Sequence, residues 1–341
     1  MDEIIMQRCL ELAQKALGMS YPNPLVGCVI THNGEIIGEG WHQKAGLPHA
    51  EINAIQSVKN LSLLKNATLY VNLEPCSHVG KTPACAHKIV ELGIPKVVIG
   101  CRDKAAHVNG KGIQYLKENG VKVVENVLQE ESEFLNRRFF TFQTQHRPYI
   151  ILKFAQSLNS YFAPINKEQK WITNSYSKQL VHKWRTEEQG ILVGNNTAKI
   201  DRPQLNARLW KGNQPIRMLI AKELDSGTEN FIQSNLKTLI FTQEYRENNE
   251  KIKYITINFK ENVLAQIMNY LYKIEVQSLI VEGGVHTLNS FILNNLWDEA
   301  RILTGNISWE EGIKSPELPA SKLKFQTPIG EDFYQLYVNA S

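Results

Sequence analysis

The chain of 341 residues is 43% hydrophobic and 21% charged, with a net charge of +4. At about 150 residues per domain it is too long for one ordinary core, so two domains are expected. No stretch reaches the roughly 18 unbroken apolar residues of a membrane helix, and no Lys/Arg block argues for nucleic acid over a small anionic ligand.

The first predicted element is a helix over residues 3–17, with Ile5, Cys9, Leu12 and Ala16 at helical spacing. Its acidic start and amphipathic pattern do not fit a signal peptide. A cytoplasmic location is therefore expected, where persistent disulfides are rare. LVGCVI and EIIGEGW flank the turn residues HNG as a β-hairpin. A helix starts at His49 after a proline, ATLYVNLE is a strand, and PACAHKIVELG is a helix closed by Gly93. KVVIGC and VKVVENV are strands on either side of the helix GIQYLKENG. Then QEESEFLNRRFFTFQTQHRP turns from charged to aromatic and ends at Pro148, where the domains divide: residues 1–146 and 147–341. Its RRFFTF run suits an interface or a core equally. PYIILKFAQSL is a strand, SYSKQLVHKWRTEEQ a helix, and GILVG, IRMLIA, TLIFT and IKYITI are short apolar strands. The helix ENVLAQIMNYLYKI precedes QSLIVEGGVHTLNSFILNNLW, which reads strand, Gly-Gly, helix. Alternating strands and helices predict an α/β fold for both domains. No GxGxxG supports a Rossmann reading.

All five cysteines, at 9, 28, 76, 85 and 101, lie in the first third, which confines thiol chemistry to one domain. Residues 73–89 read LEPCSHVGKTPACAHKI, and Pro48-His49-Ala50-Glu51 stands upstream. His49, Cys76 and Cys85 make a three-ligand zinc set of the kind that leaves a fourth position to water. Glu51 stands nearby, available to move a proton while zinc makes water acidic near neutrality. Both cysteines fall near the start of one predicted helix and His49 starts another, which favours thiolates at that point. A closed structural site would recruit His78 or His87, and a redox pair would prefer C-x-x-C. Buried structural cysteines beside an unrelated HAE are the remaining reading. His-x-Glu with Pro-Cys is a zinc-deaminase signature, though its cysteines usually stand closer. Cys9, Cys28 and Cys101 lie in a helix and two apolar strands and read as small core residues.

The stretch PCSHVGKTPAC closely resembles the deaminase motif of the bifunctional riboflavin-biosynthesis deaminase–reductases, whose usual form ends in two prolines before the second cysteine. The resemblance extends to YPNPLVGCVI, GWHQKAGLPHAE and VNGKGI, and resumes with WIT, ILVGNNT, DRPQLNAR and VEGG, in the family's order over nearly the whole chain. It implies a cytidine-deaminase-like domain followed by a dihydrofolate-reductase-like domain. The activities implied are zinc-dependent deamination of a diaminopyrimidinone ribotide and NADPH-dependent reduction of its ribosyl group to a ribityl chain. By the same resemblance His49, Cys76 and Cys85 hold zinc, Glu51 is catalytic, and Asn23, His42 and Lys81 hold substrate. In the second domain Lys153, Gln169, Arg185, Leu205, Arg208 and Glu282 fall at substrate positions. Ala155, Trp171, Thr197, Asp201 and the segment from Gly284 fall at NADPH positions. A homo-oligomer is implied too.

Each residue also has a plainer reading. Asn23 between two prolines is a good turn residue, and Lys81 suits solvent as well as a phosphate. His42 fits either role. Arg185 and Arg208 match a phosphate's oxygens or a surface ion pair, Trp171 a nicotinamide face or a core, and EGG a phosphate-binding helix start or an ordinary turn. The chain departs from the family pattern at Ala105, at Ser157–Ser160 (SLNS for SLDG), at Gln169, and at Ala221-Lys222, where Asp-Ser is usual. These changes put reduction more in question than deamination, although Lys222 could receive a cofactor phosphate. The rivals are a deaminase of nucleic-acid bases, a non-catalytic zinc scaffold, and a reductase half that only binds ligand.

Overall fold

The computed structural model describes residues 1–77, 84–105, 108–165, 172–232 and 235–340. The chain separates into two compact units, Met1–His146 and Arg147–Ser341.

In the first unit the elements run α1 (Asp2–Gln14), β1 (Gly27–His32), β2 (Glu35–Trp41), α2 (Ala50–Ser57), β3 (Thr68–Leu73), α3 (Cys85–Glu91), β4 (Lys96–Cys101), α4 (Lys111–Glu118), β5 (Lys122–Val124), α5 (Gln129–Leu135) and α6 (Arg137–Gln145). Among the described residues the strands form one sheet in the order β2-β1-β3-β4-β5, antiparallel through β2, β1 and β3 and parallel from β3 to β5. Side chains alternate across this sheet. Cys28, Ile30, Leu69, Val71, Val97 and Ile99 face a core shared with α2 and α3, and Val29, Tyr70 and Val98 face α1. Gly40 lets α2 lie on β2, since a Cβ there would come 2.3 Å from the Ala54 nitrogen. The aromatic run belongs to α6, where Phe139, Phe140 and Phe142 are buried, so it serves the core. Cys101 and Ala105 join Phe139 and Phe140 in one cluster, so the alanine departure supplies apolar packing.

The second unit runs β6 (Tyr149–Gln156), β7 (Tyr161–Pro164), α7 (Ser175–Glu187), β8 (Gly190–Gly194), α8 (Asn195–Ile200), β9 (Ile216–Ile220), α9 (Glu229–Ile232), β10 (Thr238–Thr242), β11 (Ile252–Thr256), α10 (Val263–Lys273), β12 (Ser278–Val281), α11 (Val285–Leu293), β13 (Glu299–Thr304), β14 (Gly312–Lys314), β15 (Ser321–Ile329) and β16 (Asp332–Asn339). Its main sheet has the order β11-β10-β9-β8-β12-β6-β13-β16-β15. Pairing is parallel from β11 to β13 and antiparallel for β16 and β15. The four strands from β13 onward were not expected from the sequence.

Two conformations bear on the departures. In the SLNS turn between β6 and β7, Ser160 takes φ +60, the left-handed region that a glycine occupies without strain. Asn159 Oδ1 accepts from the Ser157 hydroxyl at 2.8 Å while its Nδ2 donates to the Trp309 carbonyl at 2.6 Å. An aspartate could accept the first of these bonds but not donate the second.

Candidate active sites

The first site is assembled from two helix starts and the loop after β3, where Cys76 lies instead of at the helix start expected for both cysteines. His49 is the N-cap of α2 and Glu51 lies in its first turn, while Cys85 opens α3. Cys76 follows the end of β3 by three residues. Its carbonyl accepts from the Ala86 N–H at 3.1 Å and its sulfur from the Cys85 N–H at 3.4 Å.

His49 Nδ1 stands 3.7 Å from the Cys76 sulfur and 3.3 Å from the Cys85 sulfur, and the three donor atoms lie within 4.8 Å of one another. Tetrahedral zinc with bonds of about 2.0–2.3 Å needs donors about 3.3–3.8 Å apart, so the set fits. All five cysteines are free thiols. Among the described residues no fourth His or Cys joins the group. His87 instead stacks on Tyr115 with ring centroids 4.2 Å apart, and His78 and Lys81 lie outside the described residues.

The electrostatics favour proton transfer beside a thiolate. A hydrogen bond from Cys85, then His49, pulls the Cys76 thiol down to about 4. The same bond and burial push Cys85 up. Glu51 is 3% exposed, and burial, aided by the Cys76 charge, pushes its carboxyl up to about 7. Such a group exchanges protons near neutral pH.

Asn23 and His42 come together at the same site. Asn23 Nδ2 donates to His42 Nε2 at 3.0 Å, and His42 Nδ1 donates to the Pro48 carbonyl at 3.1 Å. Burial lowers the His42 pKa, so both bonds describe one neutral tautomer. The His42 and His49 rings meet edge to face at 5.5 Å.

The second site lies where the central parallel strands β8, β12 and β6 end. Ligands of open α/β sheets collect at such carboxyl ends. Glu282 follows β12, and Lys153 and Ala155 lie in β6. Arg185 of α7 forks onto Glu282, Nε to Oε1 at 3.0 Å and Nη2 to Oε2 at 2.8 Å, while its Nη1 donates to the Asn206 carbonyl at 3.0 Å. Lys153 Nζ is 3.5 Å from Glu282. Burial alone would raise the Glu282 carboxyl, but Arg185 and Lys153 outweigh it and hold the group at about 2. Arg185 is thus committed to Glu282, because two charges leaving water together are stabilised by pairing.

A cleft of about 300 Å³ gathers Lys153, Arg185, Asp201, Leu205 and Arg208. Lys178, His182 and Arg202 line it too, and none of these was singled out from the sequence. His182 sits one helical turn before Arg185, and burial with the two neighbouring arginines lowers it to about 4, which keeps it neutral. Arg208 is exposed and its Nη1 donates to Asn206 Oδ1 at 2.8 Å. In the DRPQL loop Arg202 and Leu205 have φ of +42 and +53, so their backbones are held by the loop and not by their own preference.

Thr197 and Gly284 are joined by a hydrogen bond from the Gly284 N–H to Thr197 Oγ1 at 2.9 Å. Gly283 and Gly284 leave the start of α11 without side chains, which fits a phosphate-bearing cofactor. Ala221 is buried after β9, whereas Lys222 is exposed. Gln169 and Trp171 lie outside the described residues.

A zinc-type deaminase unit followed by a reductase unit on a mostly parallel sheet defines a bifunctional deaminase–reductase. Residues 1–101 match the cytidine and deoxycytidylate deaminase zinc-binding region and residues 148–307 the RibD C-terminal domain. The riboflavin biosynthesis protein RibD of Aquifex aeolicus is 37% identical over 93% of this chain and 90% of its own length. That of Escherichia coli is 34% identical over 87% of this chain and 86% of its own. The crystal structure of a diaminohydroxyphosphoribosylaminopyrimidine deaminase/5-amino-6-(5-phosphoribosylamino)uracil reductase from Thermotoga maritima has a TM-score of 0.89 at 31% identity, covering 99% of this chain and 98% of that one. The chain belongs to the RibD family of riboflavin-biosynthesis proteins. It is a bifunctional enzyme that performs a deamination and a reduction, with Zn²⁺ and NADPH as cofactors. The second unit has a dihydrofolate-reductase-like fold.

Proposed function

We propose that residues 1–146 deaminate 2,5-diamino-6-(5-phosphoribosylamino)pyrimidin-4(3H)-one and residues 147–341 then reduce its ribosyl group, giving 5-amino-6-(5-phosphoribitylamino)uracil. The observation that carries the first step is the convergence of His49, Cys76 and Cys85 beside a buried Glu51. When bound by those three residues, zinc supplies the Lewis acidity that makes water nucleophilic near neutral pH. Glu51 takes a proton from the attacking water and delivers it to the ring nitrogen, then takes the second proton from the hydroxyl formed on carbon 2 and passes it to the departing amine. Carbon 2 gains oxygen and loses ammonia. Asn23, its amide nitrogen held by His42, presents its Oδ1 to the pyrimidine, and Lys81 serves the same substrate.

In the second unit NADPH, when bound, supplies the hydride for the sugar C1′. Of two side chains that line one cleft, Lys153 orients the opened sugar and Asp201 stabilises the positive charge of its protonated imine, which the added hydride neutralises to the amine. Arg208, which lines the same cleft as Arg202 and Lys178, receives the ribotide phosphate. Arg185 holds Glu282, which with Leu205 and Gln169 frames the substrate. Ala155, Trp171, Thr197, Asp201 and Gly284 frame NADPH. The enzyme acts in the cytoplasm as a homo-oligomer on a small molecule, without nucleic acid or membrane.

The test is to follow ammonia and NADPH in one tube with the zinc-replete chain and the diaminopyrimidinone ribotide. Ammonia release followed by NADPH consumption is the expected result. Ammonia alone would reduce the second unit to a binding module, and release insensitive to Glu51→Gln would overturn the proton-transfer role.

A further inference from the structure

Glu74 is a second carboxylate of the first unit, only 4% exposed, and the chemistry above does not use it. It is separated from Cys76 by Pro75 alone. Its Oε2 accepts from the backbone N–H of Asp103 at 3.2 Å and of Gly110 at 2.9 Å, and its Oε1 from those of Gly112 at 2.9 Å and Ile113 at 3.2 Å. Gly110 is the N-cap of α4, so a strand end caps a helix far along the chain. The N–H groups of a helix's first turn lack partners within the helix, and a carboxylate there satisfies them and opposes the helix dipole. The contact is close on the backbone side as well: a Cβ on Gly112 would come 1.9 Å from the Pro75 carbonyl oxygen. On its other side Cys76 is held by the start of α3, through the Ala86 and Cys85 N–H groups.

We infer that Glu74 is the positioning residue of the metal centre: by clamping Glu74-Pro75 onto the start of α4 it fixes where Cys76 presents its sulfur. The inference rests on the reading of Cys76 as a zinc ligand. The clamp reaches Cys76 directly through the Pro75 peptide and indirectly through α4, whose Tyr115 stacks on His87 of α3, so a loosened clamp leaves Cys76 held from the α3 side only. Gly112, the second glycine of VNGKGI, acquires a reason from the same contact. It must be bare for the carbonyl beside the ligand to lie against α4.

The test compares the full-length zinc enzyme with Glu74→Gln and Gly112→Ala. Glutamine keeps the shape of the side chain but turns one acceptor oxygen into a donor that faces two N–H groups. Four readouts are taken on each chain: zinc release to an excess of chromogenic chelator, the absorption spectrum of the cobalt-substituted protein, the unfolding temperature, and NADPH turnover on the already deaminated ribotide. The last reports the second unit in the same molecule and is expected to stay unchanged. Zinc release is expected to accelerate about 10-fold or more, with an altered thiolate-to-cobalt band. Release within about twofold of the parent, with an unchanged cobalt spectrum, would overturn the positioning role. A lowered unfolding temperature without faster release would do so equally, since it assigns Glu74 to the fold alone. Should Glu74→Gln fail to fold, Gly112→Ala decides by the same criteria. Cys76→Ala separates the two levels. A Cys76→Ala chain that keeps its zinc overturns the ligand assignment itself, whereas one that loses zinc while Glu74→Gln behaves as the parent overturns positioning only.

Discussion

Replacing Glu282 with glutamine is the perturbation whose size the structure defines best. The side chains of Glu282, Arg185 and Lys153 are 9%, 11% and 15% exposed, so solvent screens them little. Glu282 is held at about 2 against an ordinary 4.5, which corresponds to roughly 3 kcal/mol of stabilisation at neutral pH. Removing one partner of a buried pair also strands the other, and such losses run to about 3–5 kcal/mol. The sign follows from the depressed pKa. The contribution is full above the unfolded value and fades as pH falls through 4.5 towards 2, so that about half or less remains at pH 3. Urea unfolding followed by tryptophan fluorescence is the assay, because all tryptophans except Trp41 belong to the second unit. The parent should exceed Glu282→Gln by about 3 kcal/mol at pH 7 and by clearly less at pH 3. A difference below about 1 kcal/mol at pH 7, or one that does not shrink on acidification, would refute the reasoning.

Ser160→Gly relieves the φ of +60 in an exposed turn and should raise the urea midpoint by the equivalent of up to about 1 kcal/mol. Asn159→Asp keeps the acceptor but loses the donor to the Trp309 carbonyl, so it should cost about 1 kcal/mol in the same assay. Gly40→Ala drives a Cβ to 2.3 Å from the α2 backbone, the helix that carries Glu51. Ammonia release should fall at least about tenfold, as expected when a site is displaced by an ångström, while reduction of the deaminated ribotide is retained. His42→Phe removes the acceptor that orients Asn23. KM for deamination should rise more than kcat falls, and an unchanged KM would free Asn23 of that dependence.

The cluster of His49, Cys76 and Cys85 was legible because its pattern is local. His49 and Glu51 are two residues apart, and Cys76 and Cys85 flank one loop, so spacing pointed to two helix starts, at which the structure places His49 and Cys85, with Cys76 in the loop after β3. The α/β alternation was legible for the same reason, from apolar runs and Gly or Pro punctuation. The strands from β13 onward were not. β15 is exposed along nearly its whole length and shows no buried face in its pattern, and its pairing with β16 is what makes it a strand. The reductase cleft illustrates the limit in chemical terms. Arg185 looked like a phosphate ligand because a guanidinium's partner cannot be read from its own surroundings. That partner, Glu282, lies 97 residues away and is delivered by β12 being inserted between β6 and β8. Glu74 was in plain view within LEPC, yet the donors it holds come from residues 103–113, beyond α3 and β4. The candidate metal ligands and Glu51 thus stood out by type and spacing. Those that hold such residues in place owe their roles to sheet order, and only the folded chain brings them together.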